Sequence, residues 1–373
     1  MDIVITDPDF HAIDIVDDFE SVIWTERYAD AGDVKLSVPD TGANRIRLPE
    51  GTFLSTPDSL DAMMIETRTA KEGLLTLEGP SITAFLRNRI ARDSWSNLHK
   101  SWEITGAPGW ICGEIVRQMC TSAGWITDGS VIQADVGIYE AIDKLIIGST
   151  VAGTSIKFPV PFGNVYDGVK TVADAYQLGF RLYPANVTDN DHDLVFTTYK
   201  GIDRTRYGGN NQIVAFSSAL DSLTDVTELR SIAGYRNVAY AWAPQITAQL
   251  YIVGIAYDGL AASTRNFERR SIMVLADDIN PDADTSNNGE GLRKLLEQKA
   301  KDALANNNYV KMADGMIVPQ NAYRYGTDYN LGDIVELSTP NAGASSARIT
   351  EYIRAQDKAS GYRAYPTLSV QDQ

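Results

Sequence analysis

Apolar and polar residues alternate over long stretches of this chain, and that alternation predicts strands. Val34, Leu36 and Val38 recur with a period of two, with Trp24 upstream, the spacing of a half-buried strand. Between Met63 and Leu77 the pattern predicts a hairpin. Ile65-Glu66-Thr67-Arg68-Thr69 runs out, Lys71-Glu72-Gly73 turns, and residues 74–77 run back. Pro39, Pro49, Pro57 and Pro80 punctuate these strands rather than interrupt them.

Near Ser81 the period lengthens. Residues 80–86 predict a short helix with Ser81 as its cap. Residues 110–123 predict a longer one, in which Ile111, Ile115 and Met119 recur every four positions and Ala123-Gly124 ends the run. A further helix is predicted over 164–178, where Val165, Val169, Val172, Ala173 and Tyr176 form one stripe and Gly179 is the natural stop. Strands follow at 180–183 and 194–199, joined by a polar turn at 188–193. Residues 86 to about 195 therefore read as an α+β module inserted between β segments. From 212 onward β returns, with strands predicted at 213–216, 225–233, 237–242, 250–257 and 267–275. Residues 277–289, rich in Asp, Asn and Pro, read as an exposed loop. The helix that follows, 291–306, places Leu292, Leu295, Leu296, Ala303 and Leu304 on one side. The last predicted pair, 347–355 and 364–370, turns around Lys358-Ala359-Ser360-Gly361. There is an internal echo: GDVKLSVP at 32–39 and GDIVELSTP at 332–340 differ by one inserted residue, as two similar β domains at the two ends would produce.

The 373 residues suggest two or three domains, each large enough for its own core. Hydrophobic residues at 44% and charged ones at 22% exclude wholesale disorder, collagen and coiled-coil rods. Lys plus Arg is 33 against 49 Asp plus Glu, a net charge of −16, which argues against a sequence-reading DNA-binding protein. The first residues lack the basic region and apolar run of a signal peptide. No apolar stretch reaches the ~18 residues of a membrane helix. Cys112 and Cys120, if on one helix, are separated by about 12 Å of rise. A disulfide needs Cα atoms within about 7 Å, so two reduced thiols in a protein made in a reducing cytoplasm are expected.

Candidate chemistry is sparse. His11, His99 and His192 have no second His or Cys at metal-ligand spacing. Asp189-Asn190-Asp191-His192-Asp193 clusters carboxylates but lacks the mid-loop Gly and the twelfth-position Glu of a calcium loop; a solvated turn fits better. No phosphate-binding loop, nucleophile elbow or dinucleotide fingerprint occurs, and Gly106-Ala107-Pro108-Gly109 and Tyr207-Gly208-Gly209-Asn210 read as turns. Glycoside hydrolysis needs paired carboxylates, for which Asp17-Asp18, Asp277-Asp278 and Glu66 are the candidates, all in turn-like or exposed contexts. No catalytic, cofactor-binding or metal-binding residue is expected.

Several ordered patterns carry a resemblance. YGTDYNLGDIVEL at 325–337, followed by Ala347-Arg348-Ile349-Thr350-Glu351-Tyr352, resembles the C-terminal signature of siphophage minor tail proteins of the baseplate-hub kind, common in phages of actinobacteria. ERYADAGDVKLSVP at 26–39 resembles their opening motif. Residues 199–205, 214–217 and 235–240 are similar to mid-chain motifs of that family. The resemblance implies a mainly β fold: two β-barrel-like tail-tube domains, at 1–85 plus 195–235 and at 236–290 plus 310–373. An α+β domain is inserted at 86–194, and a peripheral helix lies at 291–308. It implies a non-enzymatic homotrimer in the virion, at the tail tip. There it would join the distal tail protein ring to other tip or spike proteins and form part of the channel for tape measure protein and DNA. DNA would pass without specific binding. It marks Gly32, Asp33, Val34, Leu36, Val38, Tyr329, Gly332, Asp333, Val335 and Leu337 as tube-wall or assembly candidates. Asp33 or Asp333 would supply an acidic inner wall that repels phosphate. The alternative is a carbohydrate-binding or carbohydrate-cleaving tail protein, which would need a groove with stacked aromatics and two carboxylates.

Overall fold

The computed structural model describes residues 1–91, 102–121, 141–160, 163–188, 191–217, 223–243, 253–258, 266–276, 290–305, 307, 310–317, 323–339 and 343–371. Two units are present: Met1–Thr227 with Ala313–Gln373, and Glu228–Met312. Within the larger unit, strand Asp191–Tyr199 pairs with Gly179–Thr188. Helix Glu290–Ala305 belongs to the smaller unit.

The larger unit is built on one long hairpin. Strands Gly343–Asp357 and Gly361–Gln371 pair antiparallel throughout, with a bulge between Ile349 and Glu351. Along the other edge of Gly343–Asp357 two strands lie end to end. Ile334–Thr339 pairs with residues 343–348, and Ser21–Arg27 pairs with residues 351–357. The sheet forks at that point. One branch continues through Asp33–Pro39, Leu74–Pro80 and Thr67–Lys71, all antiparallel. The other continues to Ala215–Ser217, parallel to Ile334–Thr339.

Each branch has its own core. Under the first, Val22, Trp24, Val34, Leu36, Val38, Leu75 and Leu77 pack against Ile3, Ile5, Val16, Leu54 and Met63. The latter come from a second sheet of four short strands, Ala12–Val16, Ile3–Thr6, Phe53–Ser55 and Met63–Met64. Under the second lie Phe216, Tyr329, Leu331, Val335, Leu337, Ala347, Ile349 and Leu368. Burying each such side chain contributes about 1.5–3 kcal/mol. The fold is mainly β, as expected, but no closed barrel forms among the described strands; the first branch is one wall of a sandwich.

In the inserted module, helices Pro108–Cys120 and Val165–Tyr176 pack through Ile111, Ile115, Val169 and Val172. Beneath them run Leu145–Ile147, Asp191–Tyr199 and Gly179–Thr188. Asn164 caps the second helix, its Oδ1 accepting from the Asp167 N–H at 2.7 Å. That helix ends at Gln177, in the left-handed conformation at φ 53°, not at Gly179. Gly179 is held to glycine by packing instead, since a Cβ there would lie 2.5 Å from the Tyr28 ring. Ser81 stands at the N-cap position, as expected, but its side chain makes no cap bond. It precedes a 3-10 helix, Ile82–Asn88, and its Oγ accepts from the Gly32 N–H at 3.0 Å. Cys112 and Cys120 form no disulfide and lie buried on one helix. The acidic turn at 188–193 falls partly outside the described residues.

In the smaller unit, Val238–Trp242 lies between Val253–Tyr257 and Ser271–Leu275. Leu292, Leu296, Ala300 and Leu304 of helix Glu290–Ala305 cover Ala239, Ala241 and Ala256. Leu295, placed on the apolar side by its spacing, is 53% exposed. The loop read at 277–289 lies outside the described residues. No described helix is long and apolar enough to cross a membrane.

Candidate functional site

The residues marked by resemblance occupy both branches of the fork. Val34, Leu36 and Val38 point into the first core and Val335 and Leu337 into the second. Tyr329 is buried against Phe216 and Tyr325, with ring centroids 5.4 and 5.7 Å away. These side chains hold the sheet up from behind. The opposite face of Asp33–Pro39 carries Asp33 and Lys35. Asp33 pairs with Arg27 at 2.5 Å and Lys35 with Glu78 at 2.7 Å. Gly32 and Gly332 permit close approaches: a Cβ on Gly32 would sit 2.3 Å from the Thr25 carbonyl, and one on Gly332 2.1 Å from the Tyr28 ring.

Asp333 does not supply the acidic inner wall expected of it. Asp333 is 2% exposed. Its carboxylate accepts from the N–H groups of Ile202 at 2.7 Å and Asn330 at 3.0 Å, and from Arg204 Nε at 2.5 Å. A carboxylate so enclosed and neutralised has no charge to offer a lumen. It is a lock that ties the segment after Tyr199 to the second branch. At the same place Gly201 crosses Gly332 so closely that a Cβ would lie 1.8 Å from the Gly332 carbonyl. Arg348 completes the joint, donating to Gly332 O at 2.8 Å and to Gln177 Oε1 at 3.0 Å.

Sequence reasoning missed the most concentrated chemistry in the larger unit. Glu26, Asp61, Arg181 and Arg354 are all buried or nearly so, with side chains no more than 12% exposed. Glu26 accepts from Tyr325 Oη at 2.7 Å and from Ser59 Oγ, and lies 3.4 Å from Arg354 Nη1. Arg354 Nη2 donates to the Asp58 carbonyl at 2.6 Å. Arg181 Nε lies 3.0 Å from Asp61 Oδ1. Tyr325 and Tyr352 stack at 3.8 Å, and the Arg354 guanidinium stands 4.8 Å from the Tyr352 ring centre. A cavity of about 710 Å³ adjoins the group, lined among others by Glu26, Ser59, Arg181, Asn330, Tyr352 and Arg354. One signal was available: Glu26 continues the inward phase of Val22 and Trp24, a charge where a core residue is due.

Burial governs the electrostatics. It pushes the Asp61 carboxyl up to about 6, against the opposing pull of Arg181. Burial and then Glu26 raise the Tyr325 hydroxyl, and burial pushes Tyr352 up to about 12. Burial opposes the charge on Arg181, but the Asp61 carboxylate raises it on balance. Both Glu26 oxygens are engaged, and the facing surfaces of Tyr325 and Tyr352 are spent on each other. The arrangement is a polar joint between the first branch, the second branch and the inserted module. Among the described residues no group of three His, Cys, Asp or Glu is placed to hold a metal ion.

The family model described as Siphovirus ReqiPepy6 Gp37-like protein matches residues 2–368. The chain belongs to that family. Among solved structures, this family member is similar to the 43 kDa tail protein of prophage MuSo2 from Shewanella oneidensis. Identity is 12% and the TM-score 0.54, over 99% of this chain and 98% of the other. It is similar also to the tail protein from Neisseria meningitidis MC58, again at 12% identity and TM-score 0.54, over 99% and 96%. Likeness at that identity shows a shared fold. No curated protein matches the chain. The family is one of siphovirus proteins, and the fold is one that two phage or bacterial tail proteins share.

Proposed function

We propose that this chain is the non-enzymatic hub of a siphophage tail tip. Three copies would join the distal tail ring to the tip proteins and surround part of the passage for tape measure protein and DNA. The observation that carries the reading is the fork: two sheet branches with separate cores leave a single hairpin spine. Each branch holds one copy of the echoed Gly-Asp strand, Asp33–Pro39 in one and Ile334–Thr339 in the other. A trimer of such chains presents six similar walls, which adapts three-fold to six-fold symmetry. The Asp333 lock and the four-charge joint hold each branch at a fixed angle, as a wall under load requires. Their carboxylates serve structure, which favours scaffold over catalysis.

The test is native mass by light scattering, alone and with the distal tail ring. Closed assembly predicts about 123 kDa, three times the 40.9 kDa chain. A chain that stays monomeric at high concentration and in the presence of the ring overturns the reading.

A further inference from the structure

A second cavity, of about 350 Å³, opens in the larger unit between the tip of the Ile3–Thr6/Ala12–Val16 hairpin, the 3-10 helix Ile82–Asn88 and the inserted module. Its apolar wall includes Phe10, Phe53, Phe85, Ile82, Ile142 and Leu182. Phe10 and Phe53 meet at 5.2 Å and 57°, and Phe53 and Phe85 at 6.4 Å and 29°. The hollow opens to solvent on one side, so its apolar walls stay apart in water only where the backbone supplies a constraint. Two wall residues supply it. Phe10 and Lys144 both hold left-handed backbone, at φ 62° and 57°. For a bulky side chain that conformation persists only where the surroundings impose it, and such outliers gather at ligand sites.

The constraints are visible. The Phe10 N–H donates to Asp7 O at 2.9 Å, while the Asp7 N–H donates to His11 O at 3.0 Å, closing the hairpin tip. Lys144 O accepts from the Leu194 N–H at 3.0 Å. Lys144 Nζ stands 3.6 Å from Asp9 Oδ1 and laces the two sides together. An apolar cavity of roughly 150 Å³ takes benzene, and ligand pockets begin near 300 Å³. This one has room for a second ring. Asp9, Asp143, Arg89 and Lys144 also line it, a balanced set of charges that favours a neutral guest with a polar edge.

We propose that this cavity binds a neutral aromatic group of one or two rings, of the indole or phenol class. The source would be a free compound or the side chain of a neighbouring protein. The test is ligand-detected ¹⁹F NMR on the intact protein with 5-fluoroindole, and saturation-transfer NMR with N-acetyl-tryptophanamide. Saturable binding in the millimolar range is expected. Ala141→Trp, which fills the cavity, should weaken it at least ~10-fold without lowering the unfolding temperature; Leu194→Trp repeats the test from the opposite wall. Binding of 5-fluoroindole alone points to a free compound, and binding of both probes to an inserted side chain. No saturable binding of either probe up to about 10 mM, or binding untouched by both filling variants, overturns the proposal.

Discussion

At the scale of single residues, two buried carboxylates make opposite predictions. Asp333 is held by two backbone N–H groups and Arg204, whose side chain is 11% exposed. Asp333→Ala strands that guanidinium and both donors, at a cost of about 3–5 kcal/mol in urea unfolding. A loss under 1 kcal/mol would show that the lock is idle. Asp61 is the reverse case. Its folded pKa, near 6, lies above the unfolded value of about 3.9. The stability it lends is therefore fully present at low pH and is lost as pH rises through 6. Asp61→Asn should remove a dependence of about 2–3 kcal/mol between pH 4 and pH 8; unfolding curves of both proteins across that range check it. Neither role was legible in the sequence. Asp333 stands in the echo motif, where a Gly-Asp pair before a strand looks the same whether its carboxylate faces water or a buried arginine 129 residues away.

At the scale of elements, local patterns were the most legible. The hairpin turn at Lys71-Glu72-Gly73 is where the sequence put it, with φ of 53° at Glu72 and 82° at Gly73, the conformation such turns demand. The helices at 110–123, 164–178 and 291–306 appear as Pro108–Cys120, Val165–Tyr176 and Glu290–Ala305. What periodicity could not supply was partnership. Nothing in the strand Ser21–Arg27 announces that its neighbour is Gly343–Asp357, since the pairing rests on contacts between distant parts of the chain. Two glycines separate local from distant constraint. Gly73 has open space around a Cβ and only its positive φ to defend, so Gly73→Ala should cost about 1 kcal/mol. Gly201 faces backbone at 1.8 Å, so Gly201→Ala should cost more than about 2 kcal/mol. Equal costs in a urea midpoint comparison would contradict this account of the crossing.

For the whole molecule, the net charge of −16 bears on DNA directly. Duplex DNA is held by released counterions, and an acidic chain releases few. The purified protein should fail to retain duplex DNA on a column at about 50 mM salt, the condition that most favours retention. Clear retention would mean that a local basic face outweighs the total.

The hairpin spine has a consequence in time. Arg27 must meet Glu351, 324 residues later in the chain. At ribosomal speeds of roughly 5–20 residues per second, that interval is on the order of 15–65 s. Throughout it the nascent Ser21–Arg27 strand presents an unclaimed edge to every other polypeptide in the host cell. A sheet that closes only once residues 351–357 have been made ties the completion of the larger unit to their synthesis.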